Sequence, residues 1–329
     1  MRQFHHLLWL CLISWSLGIA QGNKMTWDRF YSLEDIYNYM DSLAEEFNFI
    51  TTMDIGSTYE GRAIKVLRMG LGFRQNASAV VIGGIHANEH IGPAATTFLI
   101  NHILQSKLNG TCSNYSDVNY YFIPVANPDG YKYSCETDRS WRKNREPILW
   151  NNRTHYGVDL NRNWKTGWKR HKRPWQPNFS GTEPFSAAET KALKDFVKNN
   201  ITNLNTFVTI HNYGQYIIYP WTHVTAPIRD HKHMKNVAQK MAFAIKEQGG
   251  PMYNFGSGAK KLAIVPGTPE NWARHRVDIK YVFSIILRDQ GDYGYNVPPE
   301  LIPVLSGDAL AAFTSLIQQM KFMRRIQKV

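Results

Sequence analysis

The chain contains 329 residues, of which 43% are hydrophobic and 13% are aromatic, so it can bury a large core as one α/β domain. Its formal net charge of +12 favours anionic partners in general but names none. Beyond the N-terminus, no apolar segment approaches the length of a membrane span, about 20 residues, and this argues against an integral membrane protein.

Residues 1–20 have the pattern of a secretory signal peptide. Arg2 lies in a short n-region, residues 7–19 are apolar, and small residues precede a predicted cut after Ala20. The mature chain is then 21–329, and we predict that it forms a single domain with its core at 27–323. Asn-x-Ser/Thr sequons fit a secretory route, so we predict a secreted, extracellular glycoprotein. The sequons begin at Asn76, Asn109, Asn114, Asn152, Asn178 and Asn200.

Cysteine use is sparse. Cys11 is removed with the signal peptide, which leaves Cys112 and Cys135. Two cysteines in an oxidising compartment favour one disulfide bond between them. The alternative is a pair of buried free thiols.

The remaining pattern alternates between helices and strands. We predict helices over 32–47, 94–104, 186–198, 231–248 and 304–323, and strands over 50–55, 63–69, 118–125, 206–210 and 281–287. Ser32 and Ser186 are predicted helix caps, Asn127–Gly130 is predicted as a turn, and 131–184 as surface loops. Alternating elements of this kind indicate an α/β fold with a mostly parallel sheet covered by helices on both faces.

The segment around His86 is the strongest functional signal. An apolar strand ends at Gly83 and Gly84 and is followed by His86 and Glu89, three residues apart. Open α/β sheets collect their ligands at the carboxyl ends of the strands. Imidazole and carboxylate together suit zinc, although an isolated His-x-x-Glu is weak and needs a third ligand far downstream.

A basic segment over 165–173 is the densest charge cluster. Five lysines and arginines lie there among Trp164, Trp168 and Trp175, a composition that can bind nucleic acid, but a secreted chain rarely meets nucleic acid. One interpretation is a solvated loop. The other is a patch for sulfated glycans or anionic surfaces.

Six motifs occur in one order along the chain. They are Gly-Ile-His86-x-x-Glu89, Asn127-Pro-Asp-Gly130, Ser140-Trp141-Arg142-Lys143, Asp159-x-Asn161-Arg162-Asn163-Trp164, Ile210-His211-Asn212-Tyr213 and Leu287-Arg288-Asp289-x-Gly291. Together they resemble the secreted zinc metallocarboxypeptidases of the pancreatic carboxypeptidase A and B type. The resemblance implies an eight-stranded mixed sheet between helices, with one Zn²⁺ at its carboxyl edge.

The resemblance also implies roles for individual residues. The implied zinc ligands are His86, Glu89 and His211. Arg142 matches the residue that stabilises the oxyanion on the scissile carbonyl. Asn161 and Arg162 match the pair that binds the terminal carboxylate of a peptide, where a guanidinium offers a bidentate fork. Glu270, two residues before Trp272, matches the base of the specificity pocket, where an acid favours C-terminal Lys or Arg; the alternative is a solvated loop residue.

Three positions depart from the family pattern. Ile286 stands where the family has its catalytic Glu, and an isoleucine cannot accept a proton. Asn88 replaces an arginine, and Ala263 falls where the family has a mobile tyrosine. Loss of a general base typically costs ~10²–10⁴ in rate. The inhibitory pro-segment usual in these relatives is not predicted here either, since 25–27 leads directly into what resembles the mature domain; an incomplete gene model would give the same pattern.

Three functions therefore remain. The first is a secreted, zinc-binding protein that recognises peptide or protein C-termini, with impaired or no hydrolysis. The second is an active carboxypeptidase, slow or using another base, with a preference for basic C-terminal residues. The third is a basic glycoprotein that binds anionic surfaces through 165–173.

Overall fold

The computed structural model describes residues 25–71 and 77–326. The predicted signal peptide, Cys11 and the sequon residue Asn76 lie outside these ranges. The helices are α1 Leu33–Glu46, α2 Ile91–Leu108, α3 Pro128–Glu136, α4 Ala188–Asn199, α5 His231–Glu247, α6 Gly258–Lys261, α7 Pro269–Arg276 and α8 Ile302–Ile326. The strands are β1 Ile50–Ser57, β2 Ala63–Leu71, β3 Ala77–Ile82, β4 Val118–Ile123, β5 Pro147–Trp150, β6 Arg153–Tyr156, β7 Leu204–Asn212, β8 Tyr216–Tyr219, β9 Asn254–Ser257 and β10 Tyr281–Leu287.

Eight strands form one mixed sheet in the order β1-β2-β4-β3-β7-β10-β8-β9. The central strands β4, β3, β7 and β10 pair in parallel, whereas β1 with β2, β2 with β4, and β10 with β8 are antiparallel. This confirms the predicted α/β fold with an eight-stranded mixed sheet between helices. Parallel central strands bring their carboxyl ends to one edge, which is where such folds bind ligands.

The central strands are apolar on both sides because each face of the sheet is covered. One buried cluster packs the sheet against α1, α2, α5 and α8, and a second packs the other face against α4 and α7. Strand β3, for example, is buried at all six positions. A continuous apolar run is the pattern expected for a strand of this kind.

Local signals at helix starts were partly right. The Ser32 cap is confirmed, since its hydroxyl accepts from the Asp35 amide and the Asp35 carboxylate accepts from the Ser32 amide. The predicted Ser186 cap is wrong: α4 begins after Ala187 without a side-chain cap, and the Ser186 hydroxyl accepts instead from Asn163 at 3.0 Å. The predicted turn at Asn127 is the start of α3, whose Gly130 amide donates to the Asn127 side chain at 3.0 Å.

Several elements were not predicted. The short strands β8 and β9 and helix α7 lie between β7 and β10 in the chain, and the segment predicted as loops contains most of α3 and the β5–β6 hairpin. Strands of four residues carry too little periodicity to be recognised from sequence. Of these elements, α7 bears directly on the site.

The predicted disulfide is wrong, because Cys112 and Cys135 are free thiols. The sulfur of Cys135 lies 3.9 Å from Nε2 of His90, just before α2, whereas Cys112 follows the other end of α2. An 18-residue helix is about 27 Å long, far beyond the Cα separation that a disulfide bridges. The alternative of two buried thiols also fails, since Cys112 is half-buried and Cys135 is exposed.

The C-terminal helix corrects another expectation. The segment Pro299–Arg324, which contains most of α8, is long and apolar enough to span a membrane by length and composition. In the structure, 56% of its most apolar window is buried, and the helix packs against α2 and α5. Core helices of globular domains share this composition, so we assign α8 to the core.

Candidate functional site

The turn after β3 places the first two residues of the site. Gly84 has φ +60, a conformation that favours glycine. A Cβ at Gly83 would lie 2.6 Å from the Thr96 hydroxyl and 2.7 Å from the Gly92 carbonyl of α2, so only glycine fits this close approach. The chain can therefore leave the sheet directly under α2, and it brings His86 and Glu89 to the carboxyl edge.

His211 comes from the neighbouring strand. It is the penultimate residue of β7, which lies beside β3 in the sheet. One ligand atom each of His86, Glu89 and His211 lies within 4.8 Å of the others, and all three residues are buried. Nδ1 of His86 is 2.7 Å from Oε1 of Glu89, and Nδ1 of His211 is 2.7 Å from Oε2 of the same carboxylate.

The electrostatics of this triad follow from one buried carboxylate between two imidazoles. Burial opposes ionisation of Glu89, but His86 and His211 more than offset it and hold the pKa of Glu89 well below its usual range. For His211, burial acts to lower the pKa, and the facing Glu89 carboxylate raises it overall. The two imidazoles thus stabilise the ionised form of the Glu89 carboxylate in a buried site.

The triad fits a zinc ion on the chemistry of its donors. Two imidazole nitrogens and a carboxylate oxygen are a common catalytic zinc set, and three protein ligands leave a further position open. Metal-binding histidines usually direct their second nitrogen at a carboxylate. Oδ1 of Asp159 lies 3.2 Å from Nε2 of His86, which meets that requirement.

Arg142 lies beside the triad. Its guanidinium NH2 is 2.6 Å from Nε2 of His86, and its NH1 is 3.6 Å from Oε1 of Glu89. Asp159 anchors it from behind, with 3.4 Å between Nε of Arg142 and Oδ2 of Asp159. This fixed cation lines the same cavity as the triad, so it can face negative charge that forms there.

Asn161 and Arg162 follow Asp159 in a tight turn. Oδ1 of Asp159 accepts from the Asn161 amide at 2.9 Å, and its carbonyl accepts from the Arg162 amide at 2.9 Å. Both side chains line the cavity, and Oδ1 of Asn161 is buried without a partner among the described residues. Burial lowers the pKa of Arg162, and Asp159 opposes that shift. A guanidinium and an amide directed into a cavity can bind a carboxylate.

Glu270 is buried in the first turn of α7 and lines the cavity, rather than lying in a solvated loop. Only 2% of its surface is exposed. Its Oε1 accepts from the hydroxyls of Thr209 at 2.5 Å and Ser284 at 2.8 Å. The carboxylate is thereby fixed at the base of the cavity by side chains from two central strands.

Ile286 lies in β10, the strand next to β7, and lines the same cavity. Its Cα pairs with that of His211 in β7 and with that of Tyr216 in β8, so it adjoins a ligand of the triad. The cavity has a volume of about 190 Å³. Among the described residues that line it, the carboxylates are those of Glu89 and Glu270, and the aliphatic side chains are Ile218, Leu262, Ala263, Val265 and Ile286.

Two further residues organise the rim without having been predicted. Arg139 donates to the carbonyl of Asn88 at 2.7 Å and to the carbonyl of Tyr295 at 2.6 Å, so it joins two loops at the mouth. Asn88 itself is buried and does not line the cavity.

Asp159 was part of a motif but had no assigned role. Its Asp-x-Asn-Arg pattern, a carboxylate just before two polar residues in a turn, was the available signal.

Comparisons with known proteins agree on one family. The zinc carboxypeptidase family model matches residues 36–311. Carboxypeptidase B of Astacus astacus is 32% identical over 288 residues, which cover 85% of this chain and 93% of that protein. Carboxypeptidase O of Bos taurus is 32% identical over 303 residues, with coverage of 89% and 79%. The solved structure of bovine thrombin-activatable fibrinolysis inhibitor in complex with tick carboxypeptidase inhibitor matches with a TM-score of 0.84 at 29% identity and covers 93% of this chain and 100% of that chain.

Proposed function

The chain belongs to the zinc carboxypeptidase family, and from that premise we propose that it is a secreted, zinc-binding protein that holds peptide C-termini and hydrolyses them poorly or not at all. In this proposal His86, Glu89 and His211 hold one zinc ion. A bound zinc ion supplies Lewis acidity toward the carbonyl of the terminal peptide bond. The remaining roles belong to side chains of the chain itself.

Binding of the peptide terminus rests on the polar side of the cavity. Arg162 and Asn161 supply donors for the terminal carboxylate, and Arg142 faces the carbonyl of the last peptide bond. Truncating one partner of a buried, hydrogen-bonded charge pair typically costs ~2–5 kcal/mol. Two arginines in one cavity therefore favour peptide ends, which carry a free carboxylate, over internal segments.

The observation that carries the impaired hydrolysis is the aliphatic side chain of Ile286 beside His211. Peptide hydrolysis needs a group that takes a proton from water and returns it to the leaving amine. Of the two carboxylates that line the cavity within the described residues, Glu89 belongs to the zinc triad. Glu270 is held at the cavity base by Thr209 and Ser284. Neither is free to act as that base in the proposal.

The second candidate is an active carboxypeptidase, and in either case Glu270 indicates a preference for basic termini. Glu270 presents a buried negative charge in the cavity, and a carboxylate in a desolvated site favours a cationic side chain. The same preference would apply to a binding protein that does not hydrolyse. The two candidates therefore differ in turnover and agree in selectivity.

Secretion and glycosylation are part of the same proposal. They rest on the signal-peptide pattern and on the positions of the sequons. Four of the sequon asparagines, Asn109, Asn114, Asn152 and Asn200, are exposed, and Asn178 is half-buried. Exposed sequons are accessible to a glycosylating enzyme.

The test is an assay of the zinc-loaded, purified protein with peptides that end in Lys, Arg, Phe or Glu. Release of the terminal residue is followed by mass spectrometry, and binding of the intact peptide by calorimetry. We expect binding without release. Robust release by the wild type that a chelator abolishes would overturn the proposal in favour of the active enzyme.

Two variants make the assay specific to position 286. Ile286→Glu adds a carboxylate next to the triad, and Ile286→Gln adds a side chain of the same size without a base. If the missing base limits turnover, release by the Glu variant exceeds release by the Gln variant, by as much as ~10²–10⁴-fold. Equal release by both variants assigns the deficiency to another group, such as the residues at 88 or 263.

A further inference from the structure

A loop at 165–173 presents five cations to solvent. All five are exposed, and the loop forms neither helix nor strand. Among the described residues, none of the five makes a side-chain ion pair with a carboxylate. The five cations are Lys165, Lys169, Arg170, Lys172 and Arg173. Their charge is therefore not neutralised within the protein.

The loop is tethered at several points, so the cations are held in a defined arrangement. Nε1 of Trp168 donates to the Ser180 carbonyl at 3.1 Å, and the His171 amide donates to the Ser180 hydroxyl at 2.9 Å. Nζ of Lys143 donates to the Pro174 carbonyl at 2.6 Å. Binding of a polyanion to a pre-formed loop costs less free energy, because the loop is already ordered.

A cleft of about 230 Å³ continues this surface from Lys165. It adds the cation of Arg276 and the imidazoles of His223 and His275, and no carboxylate is among its lining residues. Gly167, with φ +69, packs against His223 closely enough that a Cβ would lie 2.5 Å from the ring. The loop and the cleft are thus one continuous basic surface, which we call the basic face: Lys165, Lys169, Arg170, Lys172, Arg173 and Arg276 with the two histidines.

We propose that the basic face binds a sulfated glycan chain. The cations are spread along a loop and into a cleft, so the ligand must be extended and must carry several negative charges. Binding of this type is driven by the release of counterions from the polyanion and weakens steeply with salt. The sulfated glycans of the extracellular surface meet both conditions and match the secretory pattern of the chain.

Single-stranded nucleic acid is the competing polyanion, and the aromatic residues argue against it. Recognition of bases depends on exposed aromatic rings on which the bases stack. Of the four tryptophans near the basic face, Trp164 is buried, and Trp168 is half-buried and donates to the Ser180 carbonyl. Trp221, in the cleft, is half-buried with its ring packed edge-on against His223 and His275. Trp175 is 55% exposed, but its ring packs against His155 with 5.4 Å between ring centroids. The surface therefore offers charge and few stacking platforms.

The experiment measures binding of a heparin-derived oligosaccharide by calorimetry over a series of salt concentrations. The test variant replaces Lys169, Arg170, Lys172 and Arg173 with glutamine. The control variant removes the same number of charges from exposed helix positions elsewhere, Lys191, Lys198, Lys232 and Lys246, again with glutamine. All eight side chains are exposed, so both variants should fold, and thermal unfolding checks this.

We expect the test variant to lose at least about 100-fold in affinity at low salt, with a slope of log K against log salt reduced by about 3. At about 0.15 M salt the control variant should lose less than about threefold, because charges more than about 8 Å from the glycan are largely screened. Arg276→Gln should weaken binding by severalfold if the glycan reaches the cleft. Equal losses in the test and control variants would reduce the effect to net charge and overturn the proposal.

Two further results would also overturn it. A single-stranded oligonucleotide of equal charge that binds more tightly than the oligosaccharide would make this a nucleic-acid surface. Loss of oligosaccharide binding in Arg162→Ala would place the ligand in the peptide cleft instead. Since Arg162→Ala should otherwise leave glycan binding unchanged, this inference and the proposed peptide function can fail separately.

Discussion

The residues that line the central cavity form two groups of different chemistry, which we call its polar side and its aliphatic side. One side holds the triad with Arg142, Asn161 and Arg162, all polar and connected through Asp159. The other side, from β8, β10 and the segment after α6, is aliphatic at Ile218, Leu262, Ala263, Val265 and Ile286. A protein can lose proton transfer and keep its affinity for a ligand, because binding and transition-state stabilisation use different contacts.

This difference explains why family membership alone does not decide activity. The polar side contains every group that we assign to zinc and to the peptide terminus. In the proposed function, the aliphatic side contains Ile286, the position that we assign to the missing general base. Catalytic groups that act as a unit are non-additive, so the loss of one base can remove most of the rate while binding persists.

The largest expected effect is on the polar side, at the triad. Glu89→Gln keeps the volume of the side chain and removes the negative charge that lies between the two imidazoles. Loss of an outer contact to a metal ligand already costs ~10–100-fold in affinity, so loss of the ligand itself should weaken zinc binding by more than about 100-fold. Competition with a chromophoric chelator measures this.

The matched control for Glu89→Gln is Glu46→Gln, an exposed position at the end of α1. Its zinc affinity should equal that of the wild type. If Glu89→Gln bound zinc as tightly as the wild type, the triad would not be the zinc site and the metal would bind elsewhere.

The next effect separates recognition of the carboxylate from other contacts. Arg162→Ala should weaken binding of a peptide with a free C-terminus by about 30-fold, because the carboxylate loses its bidentate partner. Arg162→Lys should fall between, since a lysine keeps the charge without the planar fork. Calorimetry with each variant measures the loss.

A C-terminally amidated peptide is the control for this prediction. The amide should bind weakly to the wild type, and Arg162→Ala should change that affinity little. If the variant weakens the amide and the free acid equally, Arg162 supports the cavity wall and does not read the terminus.

A smaller effect is expected at the base of the cavity. Glu270→Gln removes a buried negative charge and keeps a group that can still accept from Thr209 and Ser284. The ratio of affinities for peptides ending in Lys and in Phe should fall about tenfold. An unchanged ratio would show that Glu270 is a structural hydrogen-bond acceptor and does not select the terminal residue.

The sequence predicted the parts of the fold that are fixed locally. Strand β10 was placed with its observed ends because a strongly apolar run, interrupted only by Ser284, between Lys280 and Arg288 is a sufficient signal. His86 and Glu89 were placed at a strand end because two glycines mark the break. The third ligand, His211, was assigned by resemblance, since its distance along the chain carries no local signal.

The parts that escaped prediction depend on contacts between distant segments. The sequence around Ser186 suits a helix cap, but its hydroxyl accepts a hydrogen bond from the Asn163 side chain of another loop instead. Glu270 is held in its buried position because the hydroxyls of Thr209 and Ser284, on two different strands, donate to its carboxylate. The predicted disulfide failed for the same reason. Sequence spacing does not reveal that Cys135 lies beside the start of α2 whereas Cys112 lies just after its end.

The smallest effect concerns the scaffold beneath the polar side. Glu189 in α4 is buried, and its carboxyl accepts from the Asn144 side chain at 2.9 Å. Asn144 in turn accepts from the Val158 amide at 2.7 Å, next to Asp159. Burial raises the pKa of Glu189 from an ordinary value of 4.5 to about 7. The folded state therefore holds a proton that the unfolded state releases at lower pH.

The sign of the pH dependence follows from that difference. Between the unfolded value of 4.5 and the folded value of about 7, each rise in pH favours the unfolded state. From pH 5.5 to 6.5 the free energy of unfolding should fall by about 1 kcal/mol more in the wild type than in Glu189→Gln, which cannot ionise. Urea unfolding at both pH values measures the difference, with Glu46→Gln as an exposed control. If the free energies of unfolding of the wild type and Glu189→Gln change equally with pH, ionisation of Glu189 does not affect stability. The structure beneath the polar side would then not depend on this carboxyl.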